Sequence, residues 1–287
     1  MKSKNIELIA KYLDNIKKEK KVSEGTVTTY TNIGRNLPFS LTTSQPTIIK
    51  KLKELYDNPN TLQLYLNIII LVRRSIDENT DKLIKLRNSL RDEIIKVRKE
   101  NLDKLDDKLP TYDYIIKELD NLTGIRYIIN YLIINHGLRN KDMNVKLVKT
   151  LPRENKTDNY IQNKTKHILL DINDYKTDKT HGNKQIKITS PKFIKEFRDI
   201  GLKDGDYLLS KKDNTPINNV STFNDKVLSL SIDKLGQNKL FKIVIKHLLN
   251  NKEYGKLEQL SNDRGTSLAV ILKSYNLDNG VEQAEED

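Results

Sequence analysis

The sequence predicts a mainly helical α+β protein, and three observations predict it. Up to about residue 105 the apolar side chains recur almost entirely at helical spacing. Between residues 145 and 189 three short runs carry strand composition instead, separated by turn-forming residues. From Ser190 onward the helical spacing returns and continues to Tyr275.

The elements follow in order. Ile6, Ile9, Leu13 and Ile16 make one apolar stripe that runs into Lys17-Lys18-Glu19-Lys20-Lys21, a solvated helix end. Residues 23–44 are polar, contain Gly25, Gly34 and Pro38, and read as loop or short helix. Pro46, at a first-turn position, opens a helix through Ile48, Ile49, Leu52 and Leu55 that stops at Asn58-Pro59-Asn60. Thr61 to Ile76 is another apolar helix. Asp81 to about Leu105 is a long charged one, with Leu83, Leu86, Leu90, Ile94 and Val97 on one face. Leu109-Pro110-Thr111 breaks the pattern, so a helical domain is placed at 1–108, a mixed domain at 109–275 and an acidic tail at 276–287.

In the mixed domain, helices are expected at 111–120 and 124–136. The second is apolar almost all round and therefore buried, and Gly137 can end it. Val145–Lys149, His167–Asp174 and Gln185–Thr189 read as strands. The last two flank the turn-rich segment from Tyr175 to Asn183, which signals a hairpin and a small antiparallel sheet. Ser190-Pro191 opens a further helix, Tyr207-Leu208-Leu209 is extended, and helices follow near 221–235, 239–250, 253–262 and 266–275. Thr266 can cap the last, whose apolar residues are Leu268, Val270, Ile271 and Leu272.

Charge narrows the partner. The net charge is +12, yet the last twelve residues hold five acids and no base, so residues 1–275 set 51 Lys and Arg against 34 acids. A body this basic points to a polyanion, most simply nucleic acid. Cys is absent, which excludes disulfides and thiolate metal sites and fits a reducing intracellular compartment. The N-terminus shows no signal pattern, and the apolar run Ile68–Val72 stops at Arg73-Arg74, so no membrane association is expected. The four His are scattered without ligand spacing, so neither a metal nor a cofactor is expected.

Tyr275, at the end of the last helix, is the candidate nucleophile. A phenol with a pKa of about 10 attacks a phosphodiester only where cations favour the phenolate. The transition state spreads charge over the non-bridging oxygens and needs fixed cationic donors, while the leaving oxygen needs a proton that a lysine can deliver. Candidates stand along the chain as Arg139 after the buried helix, Lys176 in the hairpin segment, Lys239-Leu240-Phe241-Lys242 opening a late helix, and Arg264 before the last one.

This order resembles the tyrosine recombinases, the phage-integrase family, whose fold is shared by type IB topoisomerases. The family's first arginine stands in a Gly-Leu-Arg turn with an acid three residues on, which Gly137-Leu138-Arg139 and Asp142 match. Its hairpin lysine matches Lys176 or, failing that, Lys179. Its His-x-x-Arg pair is replaced here by Lys239-x-x-Lys242, and nine residues before Tyr275 stands Thr266 where the family has His or Trp. Lysine keeps the charge but loses the planar fork that grips two phosphate oxygens. The resemblance covers about 111–275, residues 45–107 look like the family's helical core-binding domain, and the Asn- and Lys-rich character looks most like integrase-like proteins of large DNA viruses. It implies two domains closing on duplex DNA, a homotetramer on that DNA, and a 3′-phosphotyrosyl link from Tyr275. Arg139 and Lys242, helped by Arg264, would clamp the phosphate, and Lys176 would protonate the leaving 5′ oxygen. Two other outcomes stay open: a catalytically degenerate DNA-binding, architectural or virion protein, and DNA relaxation of the type IB kind.

Overall fold

The computed structural model describes residues 2–19, 22, 24–106, 108–152 and 158–275, apart from the side chains of Glu19, Glu24, Asp92, Arg98, Lys99, Lys179 and those of residues 101–106 and 273–275. The acidic tail and the Lys20-Lys21 end of the first basic run lie outside the described residues. The chain divides into two compact units, Met1–Leu105 and Asp106–Asp287.

The first unit is built from α1 (Lys2–Glu19), α2 (Glu24–Asn36), α3 (Gln45–Leu55), α4 (Pro59–Arg74) and α5 (Asp81–Asp106). The stretch from 23 to 44, read as loop or short helix, holds the thirteen-residue α2. Its composition is polar, but Val27, Tyr30 and Ile33 recur at helical spacing and pack toward the core. Gly34 admits the close approach of α1, since a Cβ there would stand 2.6 Å from Ile9 Cδ1. The segment after α2 is fixed by two buried polar side chains. Asn5 donates to Phe39 O at 2.8 Å and accepts from Leu41 N–H at 2.9 Å. Arg73, 3% exposed, donates to Leu41 O and Thr43 O and pairs with Glu78 at 2.8 Å. Among the described residues no helix is long and apolar enough to cross a membrane.

The second unit holds α6 (Tyr112–Asn121), α7 (Gly124–His136), β1 (Val145–Leu147), β2 (Asn159–Asn163), β3 (Ile168–Ile172), α8 (Asp178–His181), β4 (Lys184–Ile188), α9 (Pro191–Asp199), α10 (Val220–Leu230), α11 (Gln237–Asn250), α12 (Tyr254–Arg264) and α13 (Leu268–Tyr275). Helix α7 is its axis: α6, α9, α10, α11 and α12 all pack on it, and Ile128, Ile129, Leu132 and Ile133 are fully buried. The protein is thus mainly helical with one four-stranded sheet, ordered β1-β2-β3-β4.

The sheet departs from the expected antiparallel one, because β1 pairs parallel to β2 while β2–β3 and β3–β4 are antiparallel. A parallel pair needs a crossover between its strands, which a tight hairpin cannot supply. Strand β2, Asn-Tyr-Ile-Gln-Asn, carries no alternation that would mark it, and its first four residues are all buried. Its polar residues act as internal ties. Asn159 Oδ1 accepts from the N–H of Asn173 and Asp174, and its Nδ2 donates to Asp174 O. The segment from Tyr175 to Asn183 is a folded loop containing α8, closed by Tyr175 Oη on Gly182 O at 2.6 Å.

Replacing Arg73 by Met leaves the buried Leu41 carbonyl and the half-buried Thr43 carbonyl without this donor, the buried one costing about 1–3 kcal/mol in lost solvation. The expected outcome is a loss of about 3 kcal/mol in the unfolding of the first unit, read by urea denaturation followed with a probe in each unit; the second unit's transition should not move.

Candidate functional site

Two helix ends meet at the centre of the second unit. Helix α7 stops at Gly137, whose φ of +60° is left-handed and whose missing Cβ would lie 2.6 Å from the Phe241 ring. Helix α12 stops at Gly265 in the same way, with φ +63° and a would-be Cβ 2.4 Å from the Tyr175 ring. No other residue fits either turn, and each turn delivers an arginine.

Arg264, last in α12 and 4% exposed, donates from Nη1 to Gly137 O at 2.6 Å and from Nη2 to Asn238 Oδ1 at 3.3 Å. Its guanidinium carbon lies 3.9 Å from the centre of the Phe241 ring. Arg139, two residues past Gly137, donates from Nη1 to Arg264 O at 2.6 Å. Asp142 lies beneath, fully buried in the 3-10 turn Lys141–Met143. Its Oδ2 accepts the Arg139 N–H at 3.2 Å, and its Oδ1 is buried without a hydrogen-bond partner. Burial pushes the Asp142 carboxyl above the usual range, opposed by the charge of Lys184 and then by Arg139 and Arg264.

Lys184, the first residue of β4, completes the cluster. Its Nζ donates to Asp263 O at 2.5 Å, stands 3.6 Å from Asp142 Oδ2 and lies 4.2 Å from the centre of the Tyr175 ring. Burial drives its pKa down to about 8, with the Arg139 charge acting in the same direction and Asp142 and Asp263 opposing. Burial thus pushes both ends of the Asp142–Lys184 pair toward their neutral forms.

In front of these cations opens a cavity of about 340 Å³. Arg139, Arg264 and the exposed Lys176 line it, with Gln237, Asn238 and Thr266 as neutral polar groups and Val270 and Ile271 as its apolar wall. No carboxylate is among these lining residues. The two amides at the start of α11 are oriented by donors. Arg264 occupies Asn238 Oδ1, and the Asn140 N–H occupies Gln237 Oε1 in a short hydrogen bond. This turns their NH2 groups into the donors that the two amides can offer a ligand, beside the two guanidiniums and Lys176. Thr177 Oγ1 hydrogen-bonds Gly265 O, tying the β3–β4 loop to the turn that precedes α13. Ser267, rather than Thr266, caps α13, accepting from Val270 N–H at 3.3 Å.

The structure therefore brings together Arg139, Asp142, Lys176, Arg264 and Thr266. Lys242 is 2% exposed within the apolar face of α11 and does not line the cavity, and Lys239 lines a separate groove beside Asn140. Lys179 falls in α8 and Tyr275 ends α13, but both side chains lie outside the described ones. Lys184, Gln237 and Asn238 were not singled out from the sequence. For Lys184 a signal exists: residues at i, i+2 and i+4 of a strand share a face, and Lys184 shares one with Ile186 and Ile188, both buried. Among the described residues no group of three or more His, Asp or Glu stands ready to hold a metal ion. Arg139, Arg264 and Lys176 give the cavity a cationic lining suited to an anion, with Lys184 behind it.

No protein-family model and no curated protein matches the sequence. Among solved structures the chain is similar to the crystal structure of XerA recombinase, at 15% identity over 94% of this chain and 92% of that one, with a TM-score of 0.37.

A lysine whose folded pKa is depressed binds its proton more weakly folded than unfolded. Between about pH 8 and the ordinary lysine value of 10.5, the unfolded chain therefore holds more of that proton. Wild type should gain stability over Lys184→Met as pH rises through this window, and should show no change in that difference well below pH 8. Paired denaturant titrations across the range check it.

Proposed function

We propose that this chain cuts and rejoins DNA as tyrosine recombinases do. The observation that carries the reading is the cationic cavity, lined by no carboxylate, with two guanidiniums locked at its wall beside the helix that ends in Tyr275. Position 275 follows the cavity-lining Ile271 by four residues, one helical turn, so the two positions share a face of α13. A phosphodiester in the cavity would place its non-bridging oxygens among Arg139, Arg264 and the Asn238 and Gln237 amides. The phenolate oxygen of Tyr275 attacks phosphorus, forming a 3′-phosphotyrosyl bond as the bond to the 5′ oxygen breaks. We assign the proton that oxygen takes to Lys184, which stands behind the lining rather than in it and whose pKa of about 8 suits general acid catalysis. Lys176, exposed at the rim, holds the adjoining DNA backbone. Attack of a 5′ hydroxyl from another strand then gives recombination, and attack of the original one relaxes supercoils.

A second reading has its own support. No imidazole lines the cavity, where Gln237, Asn238 and Thr266 stand instead. A site losing one good oxyanion donor slows by roughly 10²–10³, and a chain retaining the fold for DNA binding alone would tolerate that. The two readings separate on one product, a covalent protein–DNA adduct.

A nicked suicide duplex, drawn from a random-sequence pool so that an unknown target is represented, should trap an adduct with wild type and none with Tyr275→Phe. Arg264→Ala should slow trapping by roughly 10²–10³. A 5′-bridging sulfur leaves without a proton, so it should restore Lys184→Ala and leave Arg264→Ala slow. Salt-sensitive binding with no adduct from any pool member would favour the second reading.

A further inference from the structure

Four contacts converge on the ends of α7 and α12, three joining one end to the other and one tying β4 to α12. Three use cations of the cluster: Arg264 on Gly137 O, Arg139 on Arg264 O, and Lys184 on Asp263 O. The fourth uses none of them. His136, the last residue of α7, meets Asp263, the penultimate residue of α12, through Nδ1 and Oδ2 at 2.6 Å, with the two side chains 8% and 16% exposed.

A carboxylate only accepts, so His136 Nδ1 carries the proton. His136 Nε2 is buried with no hydrogen-bond partner, so Asp263 is the polar group that fixes the ring. The Tyr131 ring lies 5.8 Å from the imidazole, centre to centre. The hydrogen bond also decides what Lys184 can reach. Asp263 offers Lys184 its backbone carbonyl while its carboxylate is engaged by His136. The other charged groups facing Lys184 are Asp142, at 3.6 Å in the 3-10 turn, and Arg139, whose charge opposes its protonation.

We propose that His136 is a positioning residue. By engaging the Asp263 carboxylate it denies Lys184 a full ion-pair partner, and it locks the end of α12 that carries Arg264. The consequence for catalysis rests on the strand-cleavage reading above; the control of Lys184 does not.

The test titrates Lys184 by NMR in full-length protein labelled at the lysine Cε carbons, with the signal assigned through Lys184→Arg. His136→Phe keeps the ring volume and removes the N–H. It frees the Asp263 carboxylate to turn toward Lys184, whose titration should rise by about one unit. Asp263→Asn removes the anion and should lower it. His136→Gln, whose amide can donate to Asp263, should return it toward wild type. The proposal is overturned if His136→Phe leaves Lys184 titrating as in wild type, or if the Phe and Asn variants move it the same way. Should His136→Phe not fold, His136→Leu takes its place: a rise in the Lys184 titration supports the proposal and no change ends it. On the suicide duplex, His136→Phe should slow adduct formation about tenfold with DNA affinity little changed. A wild type that forms no adduct would sink the strand-cleavage reading while leaving the NMR result to stand.

Discussion

The site depends on a reciprocal exchange between two arginines. Arg264 donates to the carbonyl of Gly137, two residues before Arg139, and Arg139 donates to the carbonyl of Arg264 itself. Two guanidiniums repel, so something must hold them together when no anion is bound. The ends of α7 and α12 do so, because the last carbonyls of a helix carry its partial negative charge and lack partners within the helix. Both helices terminate in left-handed glycines, and this brings two such ends within reach of each other. Cations that elsewhere would need carboxylates are held by backbone oxygen instead, which leaves their charge to act on the cavity.

The acids of the region stand behind the cations. Asp142 is buried under Arg139 and Lys184, and Asp263 is engaged by His136, while the cavity lining contains neither. The field therefore points one way, toward whatever fills the cavity. The same arrangement explains the weakly held proton of Lys184. Its near contacts are a carbonyl, an aromatic face and one buried carboxyl that is itself pushed toward neutrality. Burial without a full counter-ion is what loosens a lysine's hold on its proton.

Much of this was legible in the sequence. The buried helix ending at Gly137 and the Arg264-Gly265 turn are written in local residues, and the mainly helical α+β class follows from periodicity. The cavity-facing choice among the late cations was not. Lys239 and Lys242 open a helix, but whether a residue there faces the cavity depends on how α11 rotates against α7. Phe241 sets that rotation by packing under Gly137 and Arg264, and it turns Lys242 inward. Strand β2 stayed hidden because its burial is satisfied by Asn159 and Gln162 through hydrogen bonds rather than by apolar alternation. Lys184 was masked by its neighbours, since a lysine among loop lysines looks solvated until the strand's period is carried back to its first residue.

The most direct measurement is an experimental structure of the Tyr275→Phe protein on a nicked duplex. A phosphate is expected in the cationic cavity, its non-bridging oxygens within about 2.7–3.1 Å of Arg139, Arg264 and Asn238 Nδ2. A duplex that binds elsewhere and leaves those groups without a phosphate would contradict this expectation.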